Sequence, residues 1–318
     1  MKYRNIGKCG AKVSVISIGS WLTLGGTVDE KTGAKILQYA FENGVNFFDT
    51  ADVYNYGKAE IFFGKALKKY RRQDLFIATK CFGKMSENPN DKGLSRKHIF
   101  ESVHKSLKNL KTDYIDLQQC HRYDPETTPE ETCRAFNTLI EQGKILYWGV
   151  SEWSEEEIRN AVEFCEKYNL HKPVSNQPQY NMLSRAIETN GVMEYCTAKG
   201  IGQVVWSPLA QGVLTGKYNS KKKDKQSRLE DKKNNTFVKG IASKENLDKV
   251  EKLIPVAEEL GISVSNLALA WCLRKEIISS TITSATKISQ LRENLNSAEI
   301  NLTEDILNKI EEIIKIRQ

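Results

Sequence analysis

The sequence predicts an α/β fold, a closed (β/α)8 barrel of the TIM type, on three observations. Beta-branched and aromatic runs recur eight times, each followed by a segment with helical periodicity. Strict alternation of strand and helix implies a parallel sheet, because each strand has to return through a crossover, and eight such units can close it. At 318 residues the chain falls within the range of single α/β barrels and shows neither linker composition nor a second core. Residues 1–318 therefore read as one domain, with a doubly wound open sheet as the competing arrangement.

The opening KYRNIGKCGAKVSVI, with Gly7 and Gly10 between two β-prone runs, reads as a hairpin that could plug the barrel's N-terminal end. The barrel strands follow in VSVISIGS, NFFDTA, LFIATK, YIDLQQCH, YWGVSE, VSNQPQY, GQVVWSPL and SSTITSA. Helices are expected to start near Asp29, Lys58, Ser95, Thr128, Ser154, Gly191, Ser243 and Lys287, several behind a Ser, Thr or Asp that can cap the first turn. In SEWSEEEIRNAVEFCEKY, Ser154 can cap, the glutamates face the positive end of the helix dipole, and Ile158, Val162 and Cys165 form one apolar stripe. Residues 210–242 form a polar, lysine-rich connection too long to be a simple turn, which suggests a functional or disordered loop. The tail LTEDILNKIEEIIKIRQ reads as an amphipathic helix packed over the barrel.

Composition narrows the function. No apolar stretch approaches the roughly 18 residues of a membrane span, and the N-terminus lacks the pattern of a signal peptide. A cytoplasmic protein without membrane insertion is expected. The seven cysteines show no CxxC pair and no metal-ligand spacing, which suggests reduced thiols, although Cys81 and Cys120 adjoin Lys80 and His121. Of the formal charge of +7, a net +6 sits between Gly216 and Gly240. No aromatic residue is interleaved with that loop's basic run at 221–233, so a small anionic ligand fits it better than a nucleic acid.

The chemistry gathers at strand ends. Strand two finishes with Asp49, strand three with Lys80 and strand four with His121, while Tyr54 follows Asp49 on the next loop. In a parallel barrel these ends share the face where barrel enzymes work. A lysine ending an apolar strand needs a counter-ion, and Asp49 on the neighbouring strand is the natural one. Lys80 is expected to lower the Tyr54 phenol toward neutrality and make it a usable proton donor, with a neutral His121 orienting a substrate carbonyl.

These residues carry a resemblance. D-x4-Y in NFFDTADVY, the lysine of IATK and the histidine of DLQQCHRYD are similar to the tetrad of the aldo-keto reductase superfamily, and the likeness runs along essentially the whole chain. GSWLTLGG, YWGVSEWS, NQPQYN, WSPLAQGVLTGKY and QLRENL resemble the branch that includes voltage-gated potassium channel β-subunits and their bacterial reductase relatives. The resemblance implies NADPH-dependent reduction of an aldehyde or ketone, with Asp49, Tyr54, Lys80 and His121 catalytic. It implies a cofactor bound without the GxGxxG finger, which this sequence lacks, across the barrel mouth.

By the same resemblance, Ser151 and Gln177 hold the nicotinamide carboxamide, Trp206 lies beside the ring, and Ser20, Trp21 and Asp49 border the site. Ser207, Pro208, Leu209, Gly212, Gly216 and Lys217 line the pyrophosphate channel. Arg228 matches a basic residue near the adenosine end, and Thr286, Gln290, Glu293 and Asn294 match the adenosine pocket. Independently, Lys217, Arg228 and Lys287 lie after strands seven and eight, where barrels often bind phosphate. Trp21 is also expected to wall the substrate pocket.

Three departures from the pattern stand out. Glu152 follows Ser151 where many reductases carry Asn, and Arg122-Tyr123 replaces the commoner Arg-Pro. The channel subunits carry Asn where His121 stands, which favours a working reductase here. A redox-sensing, channel-associated subunit with slow turnover is one rival, and a Schiff-base aldolase using Lys80 is another. A homo-oligomer is compatible with these patterns.

Overall fold

The structure, a computed structural model, describes residues 1–219, 229–230 and 235–315. A short antiparallel hairpin, β1 (Tyr3–Asn5) and β2 (Lys12–Ser14), comes first. The first half of the barrel then runs β3 (Ile16–Gly19), α1 (Glu30–Glu42), β4 (Phe47–Asp49), α2 (Lys58–Leu67), β5 (Phe76–Cys81), α3 (Arg96–Leu110), β6 (Ile115–Cys120) and α4 (Pro129–Glu141). The second half runs β7 (Ile145–Val150), α5 (Glu155–Lys167), β8 (Ser175–Asn176), α6 (Val192–Lys199), β9 (Gly202–Val205), α7 (Thr236–Lys239), α8 (Lys244–Glu259), α9 (Val264–Leu273), β10 (Ile278–Thr283), α10 (Ile288–Asn296) and α11 (Glu304–Ile314). Strands β3 to β10 pair in parallel in chain order, and β10 closes on β3, so the barrel prediction holds and the open sheet is excluded.

Strand alternation builds the interior. Phe47, Phe76, Ala78, Leu117 and Val204 form an inner cluster, whereas their chain neighbours Phe48 and Ile77 join the outer core between sheet and helices. Ile6 and Val13 of the hairpin complete that inner cluster, so the N-terminal end is plugged by the hairpin as expected. The same alternation that points Phe76 and Ala78 inward brings Lys80 into the barrel.

The helix starts follow their caps. Ser154 and Glu157 form a reciprocal capping box, and Asp29, Ser95, Thr128 and Ser243 each accept a first-turn N–H. One feature differs from the sequence reading. Helix α9 was not expected, because all ten of its residues are buried and no polar face betrays its period. The expected C-terminal helix is present as α11, which packs on the flanking helix α8 through Ile306, Ile310 and Ile314, with Lys309 paired to Glu259.

The connection 210–242 is partly regular. Residues Ala210–Thr215 form 3-10 turns and α7 supplies one more turn of helix, in which Phe237 meets Trp21 edge-on with ring centroids 4.9 Å apart. No single helix among the described residues is long and apolar enough to cross a membrane.

Candidate active site

Lys80 Nζ lies inside the barrel with no exposed surface, where it donates to Asp49 Oδ1 at 2.5 Å and to the Thr50 carbonyl at 2.7 Å. The second carboxylate oxygen of Asp49 accepts from Gln177 Nε2 at 2.9 Å and faces Gln119 Nε2 at 3.4 Å. Each charge is thus paired and each oxygen has a donor, as a buried ion pair needs.

Tyr54 is positioned by its loop. Asn55, Tyr56 and Gly57 all adopt left-handed backbone, and Asn55 Nδ2 donates to the Gly25 carbonyl at 2.7 Å. A Cβ on Gly25 would stand 2.8 Å from the Ala59 Cα, so only glycine lets the β3–α1 loop press onto the start of α2. The Tyr54 ring lies with its centroid 5.1 Å from Lys80 Nζ. His121 meets the phenol ring edge-on at 5.5 Å between centroids.

The electrostatics correct one expectation. Burial pushes the Tyr54 phenol above its ordinary value, and the Lys80 ammonium does not reverse that rise. Tyr54 is therefore a phenol, not a phenolate, at neutral pH. Burial opposes the Lys80 charge, but Asp49 and Tyr54 lift the amine above its usual value and keep it an ammonium. Burial, with the charges of Lys80 and Arg122, holds His121 well below the usual imidazole range, so it is neutral.

The other expected residues fall into three groups. Around the tetrad, Ser20 Oγ donates to Thr50 Oγ1 at 2.8 Å, Ser151 Oγ donates to the Gln177 carbonyl at 2.8 Å, and Trp21 stands against Phe237. After β9, Trp206 Nε1 donates to Glu152 Oε1 at 2.7 Å, an oxygen that also accepts from Gln179 N. Pro208 is buried and Leu209 half-buried beside it. Ser207, Ala210, Gln211, Gly212 and Gly216 have positive φ, and a Cβ on Gly212 would come within 3.0 Å of Lys217 Nζ. Arg228 lies outside the described residues.

After β10, Thr286 donates through N and Oγ1 to Gln290 Oε1 at 3.0 Å each. Glu293 accepts from Ser263 Oγ at 2.5 Å, and Asn294 is buried with its amide on Thr283 Oγ1 at 2.9 Å. Both side chains are engaged inside the protein in this state.

Sequence reasoning missed two contacts. Gln119, which steadies Asp49, lies two residues before His121 on the same inward face of β6, and the strand period alone could have found it. The Glu152 hydrogen bond to Trp206 spans two strand ends and has no local signal. Cys81 and Cys120 are buried, and burial pushes both thiols up, away from the reactive thiolate; no disulfide occurs among the described residues.

A closed parallel barrel with an Asp–Lys pair, a phenol and an imidazole gathered at the ends of adjacent strands defines a class of carbonyl oxidoreductases. The aldo/keto reductase family matches residues 15–315, and the chain belongs to that family. It is 45% identical to a probable voltage-gated potassium channel subunit beta from Arabidopsis thaliana, over 99% of this chain and 97% of that protein. A protein of the same designation from Oryza sativa subsp. japonica is 42% identical over 99% and 97% of the two chains. A third, with a similar channel-subunit name, from Schizosaccharomyces pombe, is 42% identical over 98% and 93%.

Proposed function

We propose that this protein is an NADPH-dependent reductase of aldehydes or ketones. The observation that carries the reading is a Tyr54 phenol, protonated by burial, on a fully buried Lys80–Asp49 pair beside a neutral His121. Membership of the aldo/keto reductase family supports it. When bound, the nicotinamide supplies a hydride to the carbonyl carbon.

The protein's own groups manage the oxygen. His121, uncharged, donates one N–H to the carbonyl and orients it, and the Tyr54 hydroxyl delivers the proton that completes the alcohol. Lys80 stabilises the phenolate left on Tyr54 until solvent reprotonates it, and Asp49 keeps Lys80 charged and fixed. The residues after β9 suit a phosphate through Lys217, whose ammonium stands against Gly212 at the end of a tight run of left-handed turns, Ala210–Gly212, that holds the connection close to the strand. Ser151 and Gln177 would take the carboxamide, and Trp206, steadied by Glu152, the ring. Thr286 and Gln290 would meet the adenosine end, joined by Glu293 and Asn294 if they turn outward. A single-domain, cytoplasmic protein acting on a small carbonyl compound belongs to the same reading, which leaves homo-oligomerisation open.

The names of the plant and fungal relatives favour one other reading, an accessory channel subunit that keeps the cofactor and turns over slowly. NADPH oxidation measured with 4-nitrobenzaldehyde separates the two. Steady turnover is expected; tight cofactor binding without turnover would favour the subunit. Borohydride trapping of substrate on Lys80 would instead favour an aldolase.

A further inference from the structure

We infer that Arg122 forms an anion-binding subsite beside the tetrad, and that the preferred substrates are carbonyl compounds bearing a carboxylate. The inference rests on the reductase reading and specifies its substrate class. Arg122 directly follows His121 at the C-terminal end of β6 and is exposed at the rim. Its Nη1 donates to the His121 carbonyl at 2.5 Å, which ties the guanidinium to the backbone that carries the imidazole. Its positive charge adds to the burial that lowers His121 and opposes, without reversing, the rise that burial imposes on Tyr54.

Among the described residues, no carboxylate pairs with Arg122. Lys80, the other cation at the centre, is committed to Asp49. Glu152, at the next strand end, is engaged by Gln179 N and Trp206 Nε1 on the β9 side. With one donor used on a neutral carbonyl, the guanidinium keeps a planar fork free for a carboxylate, its best partner.

The backbone beneath it is fixed in advance. Asp124 accepts from Leu94 N at 2.7 Å, Glu126 N at 3.0 Å and Thr127 Oγ1 at 2.7 Å. Tyr123 stands edge-on to Trp153 with centroids 5.0 Å apart. Arg122 is thus carried on a turn tied on both sides, so a bound anion would be held in a set relation to Tyr54 and His121.

The test compares 4-carboxybenzaldehyde, anionic at pH 7, with 4-nitrobenzaldehyde, a neutral ring of similar size. The quantity read is the ratio of their kcat/KM values, and comparing that ratio between variants cancels the aldehydes' intrinsic reactivities. Arg122→Leu is expected to lower the ratio about tenfold, Arg122→Lys to lower it less, and added salt to narrow it in the native protein. Should Arg122→Leu not fold by circular dichroism, Arg122→Gln carries the same comparison. A ratio unchanged on removal of the guanidinium, even with both rates reduced together, overturns the subsite and leaves the reductase reading standing. No turnover of either aldehyde overturns both.

Discussion

Lys80 Nζ sits 2.5 Å from Asp49 Oδ1 with 0% and 4% of the two side chains exposed, so the central ion pair of the site is sealed inside the barrel. Removing one partner leaves the other charge buried and alone. Lys80→Met is expected to destabilise the fold by about 3–5 kcal/mol and to abolish reduction. Urea denaturation beside an NADPH-oxidation assay checks both; full activity would remove Lys80 from the chemistry.

Tyr54 is raised by burial, so the acid form needed for reduction persists until pH exceeds the ordinary phenol value of about 10. Neutral His121 adds no ionisation in the physiological range. The rate of carbonyl reduction should therefore be flat from about pH 6 to about 10 and fall only above that. Tyr54→Phe should lose most activity while still binding NADPH. A limb near neutrality in the native enzyme that vanishes in Tyr54→Phe would show that the phenol titrates lower than its burial dictates.

Lys217 stands against Gly212 on the β9 connection. Its replacement by alanine should weaken NADPH binding about tenfold at low ionic strength and by less at high salt, because a phosphate contact at this half-buried, solvent-reached lysine is screened. Fluorescence titration of the cofactor at two salt concentrations measures this. An unchanged dissociation constant at low salt would remove Lys217 from the phosphate site.

Asp52, three residues past Asp49, is buried; burial pushes its carboxyl up to about 7, with Glu60 adding to the rise and a hydrogen bond from Ser102 Oγ at 2.8 Å opposing it. The folded protein therefore binds this proton more tightly than the unfolded chain, whose value is 3.8. The Asp52 contribution to stability is greatest below that value, declines as pH rises through the interval from 3.8 to about 7, and is level above it. Asp52→Asn, which keeps an acceptor for Ser102, should stabilise the protein at pH 8 by up to about 4 kcal/mol and have little effect near pH 4. Melting temperatures at the two pH values decide it, and equal shifts at both would count against a buried proton.

The legible parts of the fold were those with a local signature. Ser154 and Glu157 announced α5 through a capping box, and the end of LFIATK announced Lys80 because an ammonium closing an apolar strand needs a partner. Helix α9 was illegible because its packing on every side erases the polar stripe that marks a surface helix. The sign of the Tyr54 shift was misjudged for a related reason: the Lys80 charge is visible in the chain, but the depth of burial that outweighs it is not.

The amino-acid order alone determined the barrel, its plug and the identity of the four groups at the strand ends, since period, caps and strand alternation are properties of neighbouring residues. Closure of β10 on β3 decided the rest. It brought Gln177 and Gln119 onto Asp49, Glu152 onto Trp206 and Phe237 onto Trp21, pairs far apart in the chain. Contacts of that kind, and the desolvation that sets which groups hold their protons, exist only after distant strands and loops share one enclosed volume.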